Sequence, residues 1–138
     1  MARIEKSAVI NAPVEKIFTF CSDIEGYTRF MDGAKEIKMT SDTSAHWKME
    51  MAGRMVEFDT EMTDVIENEK IAWKSKGDFA AVGSWALEPA GDETKINMLM
   101  DYEIPGIMGK IFDKVKVSKD MEKSMETSLQ NLRKLVEK

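Results

Sequence analysis

Hydrophobic and polar positions change their spacing twice along this chain. In the opening segment Ile4, Ala8 and Ile10 are interleaved with polar residues as far as Asn11-Ala12-Pro13, which predicts a strand followed by a helix start. Pro13 suits the first helical turn, and Val14, Ile17, Phe18 and Cys21 then recur at helical spacing until Ser22-Asp23. A short helix with one buried face is expected there. A second short helix is expected from Asp23 or Ile24 to Met31, weakened by Gly26 and ended by the turn signal Asp32-Gly33.

From Lys35 to Ile104 the period becomes two, the mark of a sheet with one wet face and one covered face. In Ala45 to Met51 the residues Trp47, Met49 and Met51 are apolar while His46, Lys48 and Glu50 are polar. After Gly53, Val56, Phe58, Thr60 and Met62 share one side and Glu57, Asp59 and Glu61 the other. Asn68-Glu69 signals a turn, and Ile71, Trp73 and Ser75 alternate with Lys70, Lys74 and Lys76 before Lys76-Gly77-Asp78 turns the chain again. A strand from Phe79 to Leu87 contains Gly83, which suggests a bulge or bend, and Pro89-Ala90-Gly91-Asp92 is expected to close a hairpin. Ile96, Met98, Met100, Tyr102 and Ile104 then share a face opposite Lys95, Asn97, Asp101 and Glu103.

Pro105-Gly106 ends the alternation, and Met108, Ile111, Phe112, Val115, Met121, Met125, Leu129, Leu132 and Val136 fall at helical spacing from Ile107 to Lys138. At ~1.5 Å per residue such a helix reaches about 45 Å, enough to cross a sheet from end to end. Val115-Lys116-Val117-Ser118 is its expected weak point, because β-branched residues and serine are poorer helix formers. The predicted order is strand, two short helices, six antiparallel strands and a long helix. This is an α+β fold in which a curved antiparallel sheet of about seven strands curls around the C-terminal helix. No linker, repeat or low-complexity run divides residues 1–138, so a single domain is expected.

Composition narrows the function. A chain of 138 residues with 43% hydrophobic and 33% charged residues is neither a disordered tail, a collagen-like chain nor a membrane bundle. Lys+Arg 20 against Asp+Glu 25 gives a net charge of −5, which offers phosphate backbones no cationic surface, so nucleic acid is not an expected partner. The single Cys21 permits no intramolecular disulfide, and the single His46 removes sites that need two imidazoles, such as zinc proteases and zinc fingers. The first residues lack the unbroken apolar run of a signal peptide, and no segment approaches transmembrane length. Export and integral membrane association are therefore not expected, and the reducing cytoplasm is the expected compartment. The unusual count is Met 12, a flexible and polarizable set of apolar side chains.

Particular residues sharpen the pattern. Ile10-Asn11-Ala12-Pro13-Val14-Glu15-Lys16-Ile17-Phe18, the Ser22-Asp23-Ile24-Glu25 turn with Tyr27, Phe30 and Met31, and the pair His46-Trp47 come in that order. They are followed by Ile71-Ala72-Trp73-Lys74-Ser75, Thr94, and Tyr102 with Pro105-Gly106. In order and spacing the chain resembles the START-like or SRPBCC superfamily, the helix-grip fold, and within it the polyketide cyclase/dehydrase-like proteins. Asp23-Ile24-Glu25-Gly26-Tyr27 also looks like the coenzyme Q-binding branch. The resemblance covers nearly the whole chain and implies a START-like ligand-binding domain. Its expected feature is a deep apolar cavity between sheet and helix, which different members use for lipids, quinones, sterols or polyketide chains. Fold kinship does not choose among those uses.

The inward set is Trp47, Met49, Met51, Phe58, Thr60, Met62, Trp73, Trp85, Met98, Met100 and Tyr102, joined by Met108 and Phe112 at the start of the last helix. Singly, such residues fill a core; as a set they are the candidate lining of a ligand pocket, with pliable methionines and flat aromatic walls. Thr60, Ser75 and Tyr102 are the candidates for hydrogen bonds to a ligand oxygen, or else satisfy local backbone groups. Asp64 shares the parity of Thr60 and is the candidate base, although its place near a strand end favours an ordinary solvated carboxylate. Glu57, Asp59, Glu61, Asp101 and Glu103 belong to the outer, solvated face rather than to a calcium or magnesium site. His46 shares that face, and Cys21 reads as a small buried hydrophobe. Gly106-Ile107-Met108-Gly109-Lys110 lacks the spacing of a phosphate loop and reads as a helix start. No metal and no cofactor is expected.

Three functions compete. The leading one is binding or transport of a small hydrophobic molecule in the cavity. The alternative is a cyclase or dehydratase-type enzyme acting in the same cavity, which requires a titratable group facing inward. A protein-interaction module would instead show a filled interior and an exposed apolar patch.

Overall fold

The computed structural model describes residues 2–51, 53–103 and 114–137. Strand β1 (Ala2–Ile10) leads through a turn into helix α1 (Val14–Ser22). Pro13 occupies the position just before the first helical residue, with an extended backbone, rather than the first turn itself. Ile17 and Cys21, one turn apart, are the buried face of α1. The second expected helix is a short 3-10 helix, Ile24–Arg29, whose start is capped by Asp23 accepting from the Gly26 amide.

Six strands follow: β2 (Ala34–Met39), β3 (Ser44–Met51), β4 (Arg54–Ile66), β5 (Lys70–Gly77), β6 (Ala81–Ala90) and β7 (Glu93–Tyr102). All neighbours pair antiparallel in the order β1-β7-β6-β5-β4-β3-β2. Strands β1 and β2 are thus adjacent in sequence but lie at opposite edges, and α1 with the 3-10 helix carries the chain across. The long helix α2 (Lys114–Val136) covers the inner face of the sheet. This is the helix-grip architecture, with seven strands.

Burial follows the predicted parity. Ala45, Trp47, Met49 and Met51 alternate with exposed or half-buried neighbours in β3, and Thr94, Ile96, Met98, Met100 and Tyr102 do so in β7. Helix α2 buries Val117, Ser128, Leu129, Leu132 and Val136, one stripe at helical spacing.

Several expectations are corrected. Gly83 makes no bulge, for β6 runs in continuous register with both β5 and β7. Its missing side chain serves Trp73 instead: a Cβ there would lie 2.5 Å from the Trp73 ring carbon Cζ2. Pro89 and Ala90 belong to β6 rather than to the hairpin turn, which is Gly91-Asp92 with Gly91 at φ +68°. The Leu87 amide faces the β5 side, donating to the Glu69 carbonyl, so Pro89 lacks its N–H on the side where β5 has already ended. Strand β4 is irregular between Met62 and Asp64, which breaks the parity that placed Asp64 with Thr60. Helix α2 passes through Lys116-Val117-Ser118 without a break. The expected helix start at Ile107, Pro105-Gly106, Ile104 and the Gly106–Lys110 segment lie outside the described residues.

Candidate functional site

Where β3 to β7 pass beneath α2, facing side chains leave a cavity of about 570 Å3, within the usual range for small-molecule sites. The sheet supplies Trp47, Met49 and Met51 from β3, Phe58, Thr60 and Met62 from β4, Ile71 and Trp73 from β5, Trp85 from β6, and Met98 and Met100 from β7. Met121 and Met125 of α2 and Tyr27 and Met31 beside the 3-10 helix close it from above. Among the described residues eight methionines line this space, with neither a leucine nor a valine beside them.

The aromatic side chains hold one another in place. Trp47 and Phe58, directly opposite in register, stack with centroids 5.6 Å apart and an 18° interplanar angle. Tyr27 meets Trp47 edge-on at 5.8 Å and Trp85 at 6.4 Å. Phe79 sets its edge against Phe58 at 5.5 Å. Trp73 lies over Gly83, its partner across β5 and β6, and so forms part of the wall.

Polar groups inside the cavity are few and mostly engaged. The Trp47 indole Nε1 donates to Thr60 Oγ1 at 2.9 Å, and just outside the lining Ser75 Oγ donates to the Phe79 carbonyl at 2.9 Å. The Tyr27 hydroxyl donates to the Cys21 carbonyl. Burial holds the Tyr27 phenol well above its ordinary range, and burial pushes the Cys21 thiol up to about 12. Neither group changes charge near neutral pH.

Carboxylates occur at the mouth. Asp32, Glu50 and Asp120 line it, all three exposed, together with exposed Lys35 and Lys116. Asp64, the candidate base, is exposed beyond the β4 irregularity, its carboxylate 3.7 Å from Lys70 Nζ. The outer face holds His46 between Asp59 at 2.7 Å and Glu57 at 3.0 Å, which raise its pKa. Among the described residues no cluster of three His, Cys, Asp or Glu side chains is placed to hold a metal. No described helix is long and apolar enough to cross a membrane.

The structure therefore brings Trp47, Met49, Met51, Phe58, Thr60, Met62, Trp73, Trp85, Met98 and Met100 to one cavity. Tyr102 is buried beside Phe79, at 5.9 Å, outside the lining. Ser75 also lies outside it, and Met108 and Phe112 fall outside the described residues. Sequence reasoning left out Tyr27, Met31 and Phe79, and above all the polar seam that fastens α2. There Ser124 Oγ donates to the Asp32 carboxylate at 2.8 Å, Ser128 Oγ accepts from the Asp32 amide at 2.8 Å, and Asn131 Nδ2 donates to the Phe30 carbonyl at 3.2 Å. The one signal was Ser128 itself, a small polar residue interrupting the stripe between Met125 and Leu132.

Comparison with known proteins agrees with this geometry. The sequence model for the family described as polyketide cyclase/dehydrase and lipid transport matches residues 1–137. An uncharacterised 17.2 kDa protein of Streptomyces lincolnensis is 29% identical over 146 residues, covering 99% of this chain and 91% of its own. A START superfamily protein from Mycobacterium smegmatis superposes with a TM-score of 0.85 at 21% identity, covering 98% of this chain and 97% of the other. The Zhui aromatase/cyclase from Streptomyces sp. R1128 gives 0.82 at 13% identity, covering 99% and 93%. At such identities these two structures share the fold.

Proposed function

The chain belongs to the polyketide cyclase/dehydrase and lipid transport family, and from that premise we propose that it binds and carries a small hydrophobic molecule in the cavity beneath α2. Lipids, quinones and polyketide-like chains are the candidate classes. The observation that carries this reading is the lining: among the described residues, eight methionines and six aromatic residues around about 570 Å3 of space. Methionine has three rotatable bonds and a polarizable sulfur, so such walls adapt to ligands of different outline. Covering ~200 Å2 of apolar ligand surface gives roughly 5 kcal/mol before the costs of association, against about 1 kcal/mol for one hydrogen bond. Shape sets affinity, and the few polar groups set orientation.

A cyclase or dehydratase needs an acid or base positioned at the reacting atoms. The described carboxylates of the lining stand at its mouth, and the phenol inside is tied to the Cys21 carbonyl, which favours carriage over proton transfer. The interaction-module reading required a filled interior, and the cavity argues against it.

Native mass spectrometry of the gently purified protein, followed by denaturation and identification of what is released, tests this. A bound lipid, quinone or polycyclic compound is expected. If nothing is released, and 1-anilinonaphthalene-8-sulfonate shows no saturable binding that a folded Met100→Glu variant loses, the carrier reading fails.

A further inference from the structure

Hydrogen-bonding groups inside the cavity fall into two kinds. The Trp47 N–H is committed to Thr60 and the Tyr27 hydroxyl to the Cys21 carbonyl, and just outside the lining the Ser75 hydroxyl is committed to the Phe79 carbonyl. Thr60 is the exception. Its oxygen accepts from Trp47, and a hydroxyl that accepts still has one proton to give. Among the described residues nothing takes that proton. Trp73, on the same face of the neighbouring strand and diagonal to Thr60 in register, adds an indole N–H with no acceptor among the described residues. The indole bond from Trp47 takes one lone pair of the Thr60 hydroxyl and leaves its proton to give, the donor-only indole of Trp73 adds a second proton, and the stacked Trp47–Phe58 pair forms a flat wall beside them.

We propose that Thr60, flanked by Trp73, is the specificity-determining residue of the cavity and selects a flat apolar ligand carrying a carbonyl oxygen. This rests on reading the cavity as a ligand site. The carbonyl oxygen accepts from Thr60 Oγ1 while the rings lie against Trp47 and Phe58. A pure hydrocarbon of the same outline leaves the Thr60 proton buried without an acceptor, which costs affinity.

Two probes of matched shape test it: 2-acetylanthracene and 2-isopropenylanthracene, titrated by energy transfer from the tryptophans. Comparing the ratio of their affinities between the unmodified protein and each variant cancels their different hydrophobicity. In Thr60→Val the ketone-to-alkene ratio should fall about tenfold, the worth of one hydrogen bond, and in Thr60→Ser it should hold. A ratio unchanged in Thr60→Val overturns the proposal and leaves the cavity reading standing. Absence of saturable binding of either probe to the unmodified protein overturns both. The infrared carbonyl stretch of the ketone bound to the unmodified protein needs no variant. A band lowered from its position in hexane supports the hydrogen bond, and an unshifted band overturns it.

Discussion

The two ends of the space under α2 are built from different residues. At the closed end, Ile10 and Ile96 of the β1–β7 ladder and Leu87 of β6 pack with Ile17 and Cys21 of α1 and Leu132 and Val136 of α2. These are mostly branched side chains with few rotamers, which interlock without voids. At the open end the same sheet presents Met49, Met51, Met62, Met98 and Met100, and α2 presents Met121 and Met125. One helix and one sheet thus make a solid core in one half and a receptive space in the other. The difference lies in branching rather than in hydrophobicity. Polar contacts reinforce it: α2 is tied from Ser124 to its end by Ser124, Ser128 and Asn131, by Arg133 donating to the Val9 carbonyl, and just past its end by Glu137 accepting from the Asn11 amide at 2.8 Å.

Truncations on the two sides should differ most. Leu132→Ala, at 0% exposure, should cost about 3 kcal/mol because the closed end cannot collapse into the void. Met125→Ala, whose side chain already borders open space, should cost about 1 kcal/mol. Urea denaturation of both variants decides it, and equal losses would erase the distinction. Gly83→Ala sharpens the open side. The new methyl collides with the Trp73 ring and lies 3.0 Å from the Leu99 carbonyl, so a loss of about 1–2 kcal/mol and a shift in tryptophan emission are expected. Ser128→Ala tests the seam between the halves. It leaves the Asp32 amide without its acceptor and should cost about 1 kcal/mol, seen as earlier amide exchange at Asp32 and Gly33.

The smallest effect lies outside both regions. On the outer face the folded-state pKa of His46 is raised by its hydrogen bonds to Asp59 and Glu57. Its stabilisation is therefore fully present below its unfolded value of about 6.5 and is lost as pH rises through the raised one. Unfolding midpoints between about pH 6 and pH 8 should show a shallow decline that His46→Gln removes. A decline unchanged by that substitution would assign it elsewhere.

Most of the frame was legible in the sequence because alternation and helical spacing are local signals. Trp47, Met49 and Met51, then Val56 and Phe58, then Ile96 to Tyr102, each declared their buried side through parity alone. Parity failed where the register slips: nothing in Met62-Thr63-Asp64 announces an irregularity, so Asp64 was carried to the wrong face. Gly83 misled for a related reason, since a strand glycine can mark a bend or make room for a neighbour, and the neighbour, Trp73, is identified only by strand pairing. The Asp32–Ser124 contact joins residues 92 apart, and an amphipathic pattern shows that a face is polar without showing what it meets.

The placement of β1 and β2 at opposite edges has a kinetic consequence. Among the described strands β1 has one neighbour, β7, and their register pairs Ala2 with Tyr102. Of these seven strands β1 is made first and must wait for β7, made last, before it has a partner, while β2 to β7 assemble from successive local hairpins. Closing that loop of about a hundred residues carries the largest entropic cost among the strand pairings. Until it closes, β7 offers an open edge to any other chain nearby, so the nascent protein is most prone to aggregate at the step that completes its sheet.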